Sequence, residues 1–363
     1  MKAQVFENGK FREERVVLIT GAYGFIGSNL VNYWVQSNHN DKLVLLDGMT
    51  YAARPEHTKN YLAKLSKSVP IDVCEEIVNI QDQVAVARVM QKHRPDLVLH
   101  LAAESHVCRS ISGPADFMKT NVMGTFNLIE EFYQLHKGDK TKRFVHISTD
   151  EVFGELHEGA ARFNEHTQIQ PRSPYAASKA SSDHIVQCYH HTYGVPTIIT
   201  NCSNNYGPNQ HDEKLVPATI KRILLDQPIK VHGDGRNIRD WLFVMDHIRA
   251  IELLAEKGMP GLRYCIGGDN ELRNIEMVKL LHAMTCSIAG IKREFKVEYT
   301  QERPTDDKRY AISAERLKNL GWMPRPEYFS DKMADTIKWY LAEWGRDMTV
   351  GSAKDFDAGV FNV

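Results

Sequence analysis

Residues 15–47 constrain the fold of this chain more than any other stretch. Arg15-Val16-Val17-Leu18-Ile19-Thr20 is a short apolar run and reads as a buried strand. Gly21, Gly24 and Gly27 follow at three-residue spacing, and an amphipathic helix continues to about Ser37. Lys42 to Asp47 reads as a second strand. Glycines at such a strand–helix turn allow a sharp bend, a close approach of backbone to a pyrophosphate, and tight helix packing. Asp47 stands 20 residues after Gly27, a distance at which an acidic side chain reaches the adenosine ribose hydroxyls of a dinucleotide. Asp47 would repel a 2′-phosphate, and no Arg follows until Arg54. The unit therefore favours NAD over NADP.

The same alternation continues downstream. Glu75–Ile80 is a weaker strand, Gln81–Lys92 a helix, Asp96–Leu101 a strand, and Asp116–Leu135 a long helix. Lys142–Ser148 is a fifth strand, Ser173–Tyr193 a second long helix, and Pro196–Asn201 a sixth strand. Strands that alternate with helices in this way argue for a Rossmann-type α/β fold with a doubly wound parallel sheet. After Tyr206-Gly207-Pro208 the pattern loosens, with helices expected near 215–225, 246–257, 275–289 and 331–343. The expected organisation is a polar N-terminal extension (1–14), an NAD-binding domain (15–205), a smaller α/β substrate-binding lobe partly interleaved with it (206–345), and a tail (346–363).

Composition narrows the class of ligand. The 363 residues carry a formal net charge of −1 and are 25% charged, so neither nucleic acid nor membrane is the expected partner. The six cysteines are scattered, with no Cys-x-x-Cys pair and no His-Glu-x-x-His. That fits a reduced, cytoplasmic setting and no metal site. Met1–Glu14 mixes both charge signs and does not read as a signal peptide, and no window has the length of a membrane span.

The chemistry-bearing stretch is Val145-His146-Ile147-Ser148-Thr149-Asp150-Glu151. An apolar strand ends abruptly in two hydroxyls and two adjacent carboxylates. Ligands of open α/β sheets bind outside the carboxyl ends of the strands. Tyr175 and Lys179, four apart in a helical pattern, share one helix face. A nearby ammonium stabilises phenolate and lowers a tyrosine pKa, so this pair suits removal of a hydroxyl proton. Two adjacent carboxylates can divide acid and base roles when their environments push their pKa values apart.

These motifs together resemble the extended short-chain dehydrogenase/reductase superfamily and, within it, the dTDP-glucose 4,6-dehydratases. The resemblance rests on Thr20–Gly27, His100-Leu-Ala-Ala-Glu-Ser-His106, Ser148-Thr-Asp-Glu-Val-Phe-Gly154 and Pro174-Tyr-Ala-Ala-Ser-Lys-Ala-Ser-Ser-Asp183. It continues through Asn201-Cys-Ser-Asn-Asn-Tyr-Gly-Pro208, Glu213-Lys-Leu-Val-Pro217, Asn237-Ile-Arg-Asp-Trp241 and Glu302-Arg-Pro-Thr-Asp-Asp307, spanning roughly residues 15–343 in order. It implies C4 oxidation, loss of water across C5 and C6, and hydride return to C6. Tyr175 would be the first base, aided by Thr149 and Lys179; Glu151 would take the C5 proton, and Asp150 would protonate the departing hydroxyl. Cofactor contacts are implied at Gly21, Gly24, Phe25, Ile26, Gly27, Asp47, Thr50, Asn79, Ile80, Leu101, Ala102, Ala103, Ser105, Thr120, Ser148, Tyr175, Lys179 and Asn205. Substrate contacts are implied at Ser105, Thr149, Asn204, Glu213, Lys214, Leu215, Arg239, Asn274, Arg303 and Asp307. A homodimer pairing the helices near 116–135 and 173–193 is also implied.

The chain departs from the family pattern at several points. Cys108 stands where Asp is usual, Asn79 replaces an adenine-reading Asp, and Phe153 replaces Tyr. Gln210-His211-Asp212 replaces a more aromatic stretch, and Thr305-Asp306 replaces Gly-His. The nucleotide sugar thus stays open between dTDP-glucose and a UDP-hexose such as UDP-glucose or UDP-N-acetylglucosamine. A 4-epimerase shares the glycine loop and the Tyr/Lys pair but has no use for Asp150 and Glu151. A non-catalytic NAD-binding protein would not need the five catalytic residues together.

Overall fold

The computed structural model describes residues 4–7, 10–13, 15–37, 41–67, 71–137, 139–302, 304 and 306–344. Its strands are β1 (Gln4–Glu7), β2 (Lys10–Glu13), β3 (Val16–Thr20), β4 (Lys42–Asp47), β5 (Val73–Ile77), β6 (Leu97–His100) and β7 (Arg143–Thr149). They continue as β8 (Thr197–Cys202), β9 (Asn204–Tyr206), β10 (Ile229–His232), β11 (Ile238–Phe243), β12 (Arg263–Ile266), β13 (Glu271–Arg273) and β14 (Val297–Thr300). Seven form one sheet in the order β12-β8-β7-β6-β3-β4-β5, and every neighbouring pair is parallel.

This order has a physical consequence. The chain runs outward from β3 through β4 to β5, then crosses back to lay β6 on the other side of β3. The carboxyl ends of β3 and β6 therefore flank the point where strand order reverses, which is where ligands of open α/β sheets bind.

Both faces of the sheet are covered, which is why its strands are continuous apolar runs rather than alternating ones. Val17, Ile19, Leu43, Leu45, Leu99, Val145 and Ile147 pack on one side with Leu30, Val31 and Trp34 of helix Phe25–Gln36 and Ile248, Ile251 and Leu254 of helix Val244–Lys257. Leu18, Val44, Leu46, Val98 and Phe144 point the other way, onto Val86 and Met90 of Gln83–His93, Leu128 and Phe132 of Thr125–Leu135, and Val186 of Pro174–Tyr193. Each such fully buried aliphatic side chain contributes about 1.5–3 kcal/mol.

The remaining elements cap the carboxyl-end side. β9, β11 and β13 form a small mixed sheet, and β10 pairs in parallel with β14. Helices Leu215–Leu224, Asn274–Ala289 and Phe329–Trp344 share one core with Tyr206 and Trp241, through Val216, Ile220, Met277, Leu281, Met333, Ile337 and Tyr340.

Several elements differ from the sequence reading. The N-terminal extension contains an antiparallel hairpin, β1 with β2; its four-residue strands are too short and too charged to signal themselves. β5 lies earlier than the expected 75–80 because it is an edge strand, half buried, with Glu75 and Glu76 inside it. Helices at Pro55–Leu65 and Val107–Ser112 were not expected. The long helix before β7 starts at Pro114 and passes through a π-helical segment, Met118–Gly124. That wider turn presents Asn121 inward, where it accepts from the Glu104 amide at 2.9 Å and donates to the Ser178 hydroxyl at 2.8 Å. The expected tail, 346–363, lies outside the described residues.

Candidate active site

The glycine turn sits at the strand-order reversal. Gly21 has φ +67°, and a Cβ there would lie 2.8 Å from the Ala102 amide nitrogen. A Cβ on Gly27 would lie 2.0 Å from the Gly21 carbonyl oxygen. Only hydrogen fits at either position. Helix Phe25–Gln36 begins there with no side-chain cap and no acidic residue in its first turn, leaving a helix N-terminus suited to an anion. Thr20 ties this loop to the end of β6: its Oγ1 accepts from the Leu101 and Ala102 amides at 3.2 and 3.1 Å and bonds His100 Nδ1 at 2.8 Å.

Asp47 is buried, and its two oxygens accept from the Tyr23 and Met49 amides at 2.9 and 2.8 Å. Burial raises its pKa against those bonds. Thr50 follows on the same loop. Beside it, Asn79 packs on Gly48 and accepts from the Gln81 amide at 3.0 Å. Ile80 is buried against Gly124, and Thr120 accepts from Gln81 at 2.7 Å. Phe25, Ile26, Leu101, Ala102 and Ala103 complete this end at partial exposure. The open helix N-terminus, the turn that excludes any Cβ, and the buried Ser148 hydroxyl that lacks a protein partner fit a dinucleotide laid across the sheet.

The catalytic candidates gather at the end of β7. Thr149 caps a short 3-10 turn, Asp150–Phe153, by accepting from the Glu151 amide at 3.3 Å. That turn separates the two carboxylates. Asp150 goes inside, 2% exposed, with Oδ2 unpaired. Its pKa is pushed well above the usual carboxylate range by burial first, then by the charges of Glu151 and Asp240. Glu151 is half exposed and lines a cavity of about 690 Å³.

Tyr175 and Lys179 lie on helix Pro174–Tyr193, which Ser173 starts by capping the Ala176 amide. Both are buried. Lys179 Nζ donates to the Ile147 carbonyl at 2.8 Å, and burial lowers its pKa to about 8, opposed by the charge of Asp183. The Tyr175 pKa is not lowered, as the sequence led us to expect, but raised. Burial first and the Glu151 charge second raise it well above the ordinary value, against a hydrogen bond with Thr149 that lowers it.

Beneath β7 lies a buried polar network. Asp183 accepts from Arg263 Nη1 at 2.7 Å and Asn201 Nδ2 at 3.2 Å, and stands 3.3 Å from His146 Nε2. Asn201 also donates to the Thr149 carbonyl at 2.8 Å. The charges hold the Asp183 pKa far below the usual range despite full burial.

The cavity brings together Glu151, Ser105, Asn204, Asn205, Glu213, Lys214, Leu215, Arg239 and Asn274. Lys214 donates to the Ser105 carbonyl at 3.1 Å. The Glu213 side chain, 4% exposed, lies 3.6 Å from His106 Nε2 and 3.8 Å from Arg109 Nε. Arg303 lies outside the described residues. Asp307 does not line the cavity: its carboxylate is taken by the Tyr310 hydroxyl and by Arg172 at 2.9 Å. Its neighbour Asp306 lines the cavity instead. Tyr310 and Trp241 also line the cavity; Trp241 belongs to the Asn237–Trp241 motif, whereas nothing local in the sequence marks Tyr310. Cys108 is half buried and lines the same cavity. Among the described residues one group could hold a metal: Cys74, Glu76 and His93, at the far sheet edge, where Glu76 already accepts from Lys92 and His93.

Residues 18–335 match the family model described as GDP-mannose 4,6 dehydratase. The dTDP-glucose 4,6-dehydratase of Escherichia coli is 44% identical, covering 93% of this chain and 97% of that protein. The Neisseria gonorrhoeae dTDP-glucose 4,6-dehydratase is 43% identical over 90% of this chain and 95% of its own. This chain belongs to the dTDP-glucose 4,6-dehydratase family. Among solved structures, the family fold is matched by DesIV, the dTDP-glucose 4,6-dehydratase of Streptomyces venezuelae crystallised with NAD bound. It superposes with a TM-score of 0.82 at 35% identity, covering 91% of this chain and 98% of that one. The UDP-glucose 4-epimerase of Thermus thermophilus, also with NAD, has a TM-score of 0.77 at 27% identity, covering 90% and 98%. Dehydratase and epimerase structures thus both match this scaffold.

Proposed function

We propose that this protein is an NAD-dependent hydro-lyase that converts dTDP-glucose to dTDP-4-keto-6-deoxyglucose. The observation that carries this reading is the divided carboxylate pair: Asp150 buried with a raised pKa, Glu151 facing the cavity, both at the end of β7. A 4-epimerase needs neither. NAD, held by the Gly21–Gly27 turn, Asp47 and Lys179, would supply a hydride acceptor for the hexose C4 and a hydride donor for C6, so the reaction would have no net redox change.

The chain's own groups do the rest. Tyr175 removes the proton from the sugar O4, with Thr149 bonding that oxygen. Lys179 holds the cofactor ribose and supplies positive charge near the phenol. Glu151, reachable from the cavity, takes the C5 proton that the 4-ketone acidifies. Asp150, kept protonated by burial, gives its proton to the departing 6-hydroxyl. Gly21, Gly24 and Gly27 seat the pyrophosphate, Asp47 the ribose, and Asn79 the adenine, since an Asn carbonyl can accept from an amino group. Ser105, Asn204, Lys214, Leu215, Asn274 and Arg239 line the sugar-nucleotide cavity, and Arg303 is assigned to the diphosphate from its motif. Residues 15–205 act mainly as the cofactor domain and 206–345 mainly as the substrate lobe.

The test follows one atom. With dTDP-glucose deuterated at C4, the label must reappear at C6 of the same molecule, with loss of water by mass. Label lost to solvent, or a mass-neutral product, overturns the reading. UDP-glucose and UDP-N-acetylglucosamine in parallel reactions decide the nucleotide preference.

We also propose a cytoplasmic homodimer. No helix among the described residues is long and apolar enough to cross a membrane. Met118 and Met123 on the helical stretch 114–135 and Tyr193 at the end of helix 174–193 are exposed at 39%, 51% and 47%, which suits a helix-pairing interface. Sedimentation that shows only monomer at micromolar concentration overturns this.

A further inference from the structure

Arg239 and Asp306 form a buried ion pair inside the cavity that also contains Glu151. Arg239 Nη2 lies 3.1 Å from Asp306 Oδ1, with side chains 7% and 2% exposed. The guanidinium is fixed on two further sides: Nη1 donates to the Ile238 carbonyl at 2.9 Å, and the charge sits 4.5 Å from the centre of the Tyr310 ring. Tyr310 is itself held by Asp307 through its hydroxyl. A guanidinium so placed is apt for a diphosphate, which it binds in bidentate fashion. Yet one of its outward-facing edges is already occupied by a carboxylate of the same chain.

Two anions at one buried cation repel each other in a medium that screens them poorly. We infer that Asp306 is an internal competitor for the substrate's diphosphate, holding Arg239 in an ion pair that the incoming phosphates must break or share. Asp306 then sets affinity for the nucleotide part while leaving the reacting carbons alone. It is a specificity-determining residue whose effect scales with ligand charge. This inference rests on the reading of the cavity as a nucleotide-sugar site.

The experiment compares the full-length protein with its Asp306→Asn and Asp306→His variants by calorimetric titration with dTDP, UDP and thymidine. Removing the carboxylate charge should tighten dTDP binding about tenfold, and leave the affinity for uncharged thymidine unchanged. Steady-state kinetics should show a matching fall in KM for dTDP-glucose with kcat within about twofold, a split that a structural defect would not produce. Unchanged or weaker dTDP binding, with thymidine binding intact, overturns the inference. Loss of both dTDP and thymidine binding in both variants also overturns it, in favour of a structural role for the pair. Failure of the unaltered protein to bind either nucleoside diphosphate would instead sink the nucleotide-sugar reading, a result distinct from the other two.

Discussion

The floor and the outer wall of the site are built on different principles. The floor, at the end of β7, is set on regular elements: a seven-residue strand, a twenty-residue helix and a buried network of Asp183, Arg263, His146 and Asn201. Its groups have their pKa values moved by burial. The wall is assembled from segments far apart in sequence, among them helix Leu215–Leu224, strand β11 and the loop at Asp306, and its charges meet in ion pairs such as Arg239 with Asp306 at 3.1 Å. The departures from the family pattern at Cys108, Gln210–Asp212 and Asp306 fall on or beside this wall. On the proposed reading, the reaction type is set by the buried geometry of the floor and the choice of substrate by the charges of the wall.

Mutations can break this division. The largest effect is expected at Glu151→Gln, which should lower turnover by about 10²–10⁴-fold while slow reduction of bound NAD, followed by nicotinamide absorbance, persists. Full turnover in that variant would remove the C5-base role. Next comes the network under the floor. Asp183→Asn leaves Arg263 buried without its counter-charge and should cost about 3–5 kcal/mol in denaturant unfolding. The Asp183 pKa is depressed in the folded chain, so its contribution is fully present above the ordinary carboxylate pKa of about 3.9 and is lost as pH falls below it. A stability curve flat between pH 5 and about 3 would contradict this.

Gly27→Ala forces a Cβ onto the Gly21 carbonyl and should cost about 1–3 kcal/mol, read as weaker NAD binding in a titration. A pH profile sharpens the comparison further. Burial lowers the Lys179 pKa to about 8. Its charge is present below that value and lost above it, so kcat/KM should fall as pH rises through it. In Lys179→Arg that basic limb should disappear, because guanidinium does not titrate there. The smallest effect belongs to the wall: Cys108→Ser should change kcat/KM by less than about twofold. A loss comparable to Glu151→Gln would mean that the thiol touches the chemistry and that the floor extends farther than drawn.

Much of the floor was legible in the sequence because it depends on local spacing. The glycine turn, Asp47 at the end of β4, and Tyr175 with Lys179 on one helix face are each properties of neighbouring residues. β3, β4, β6, β7 and β8 were found within one residue at either end, since burial on both faces writes an unbroken apolar run. β5 was misplaced because an edge strand is buried on one side only. The hairpin at residues 4–13 was missed because its strands are short and charged. Tyr310 and Asp306 were invisible as a set with Arg239, which is 67 residues upstream of Asp306, because no periodicity connects a strand and a loop that meet only in space.

By itself, the sequence determined the alternation of the central strands and helices, the dinucleotide turn, two carboxylates at one strand end, and a phenol and an amine on one helix face. These follow from hydrophobic period and from the short-range geometry of glycine, helix and strand. Tertiary structure alone decided which of the two adjacent carboxylates is buried and which faces the cavity, that Lys179 is drawn to the Ile147 carbonyl, and that Arg239 meets Asp306. Desolvation and ion pairing depend on what surrounds a group from every direction, and that is fixed only when distant segments pack.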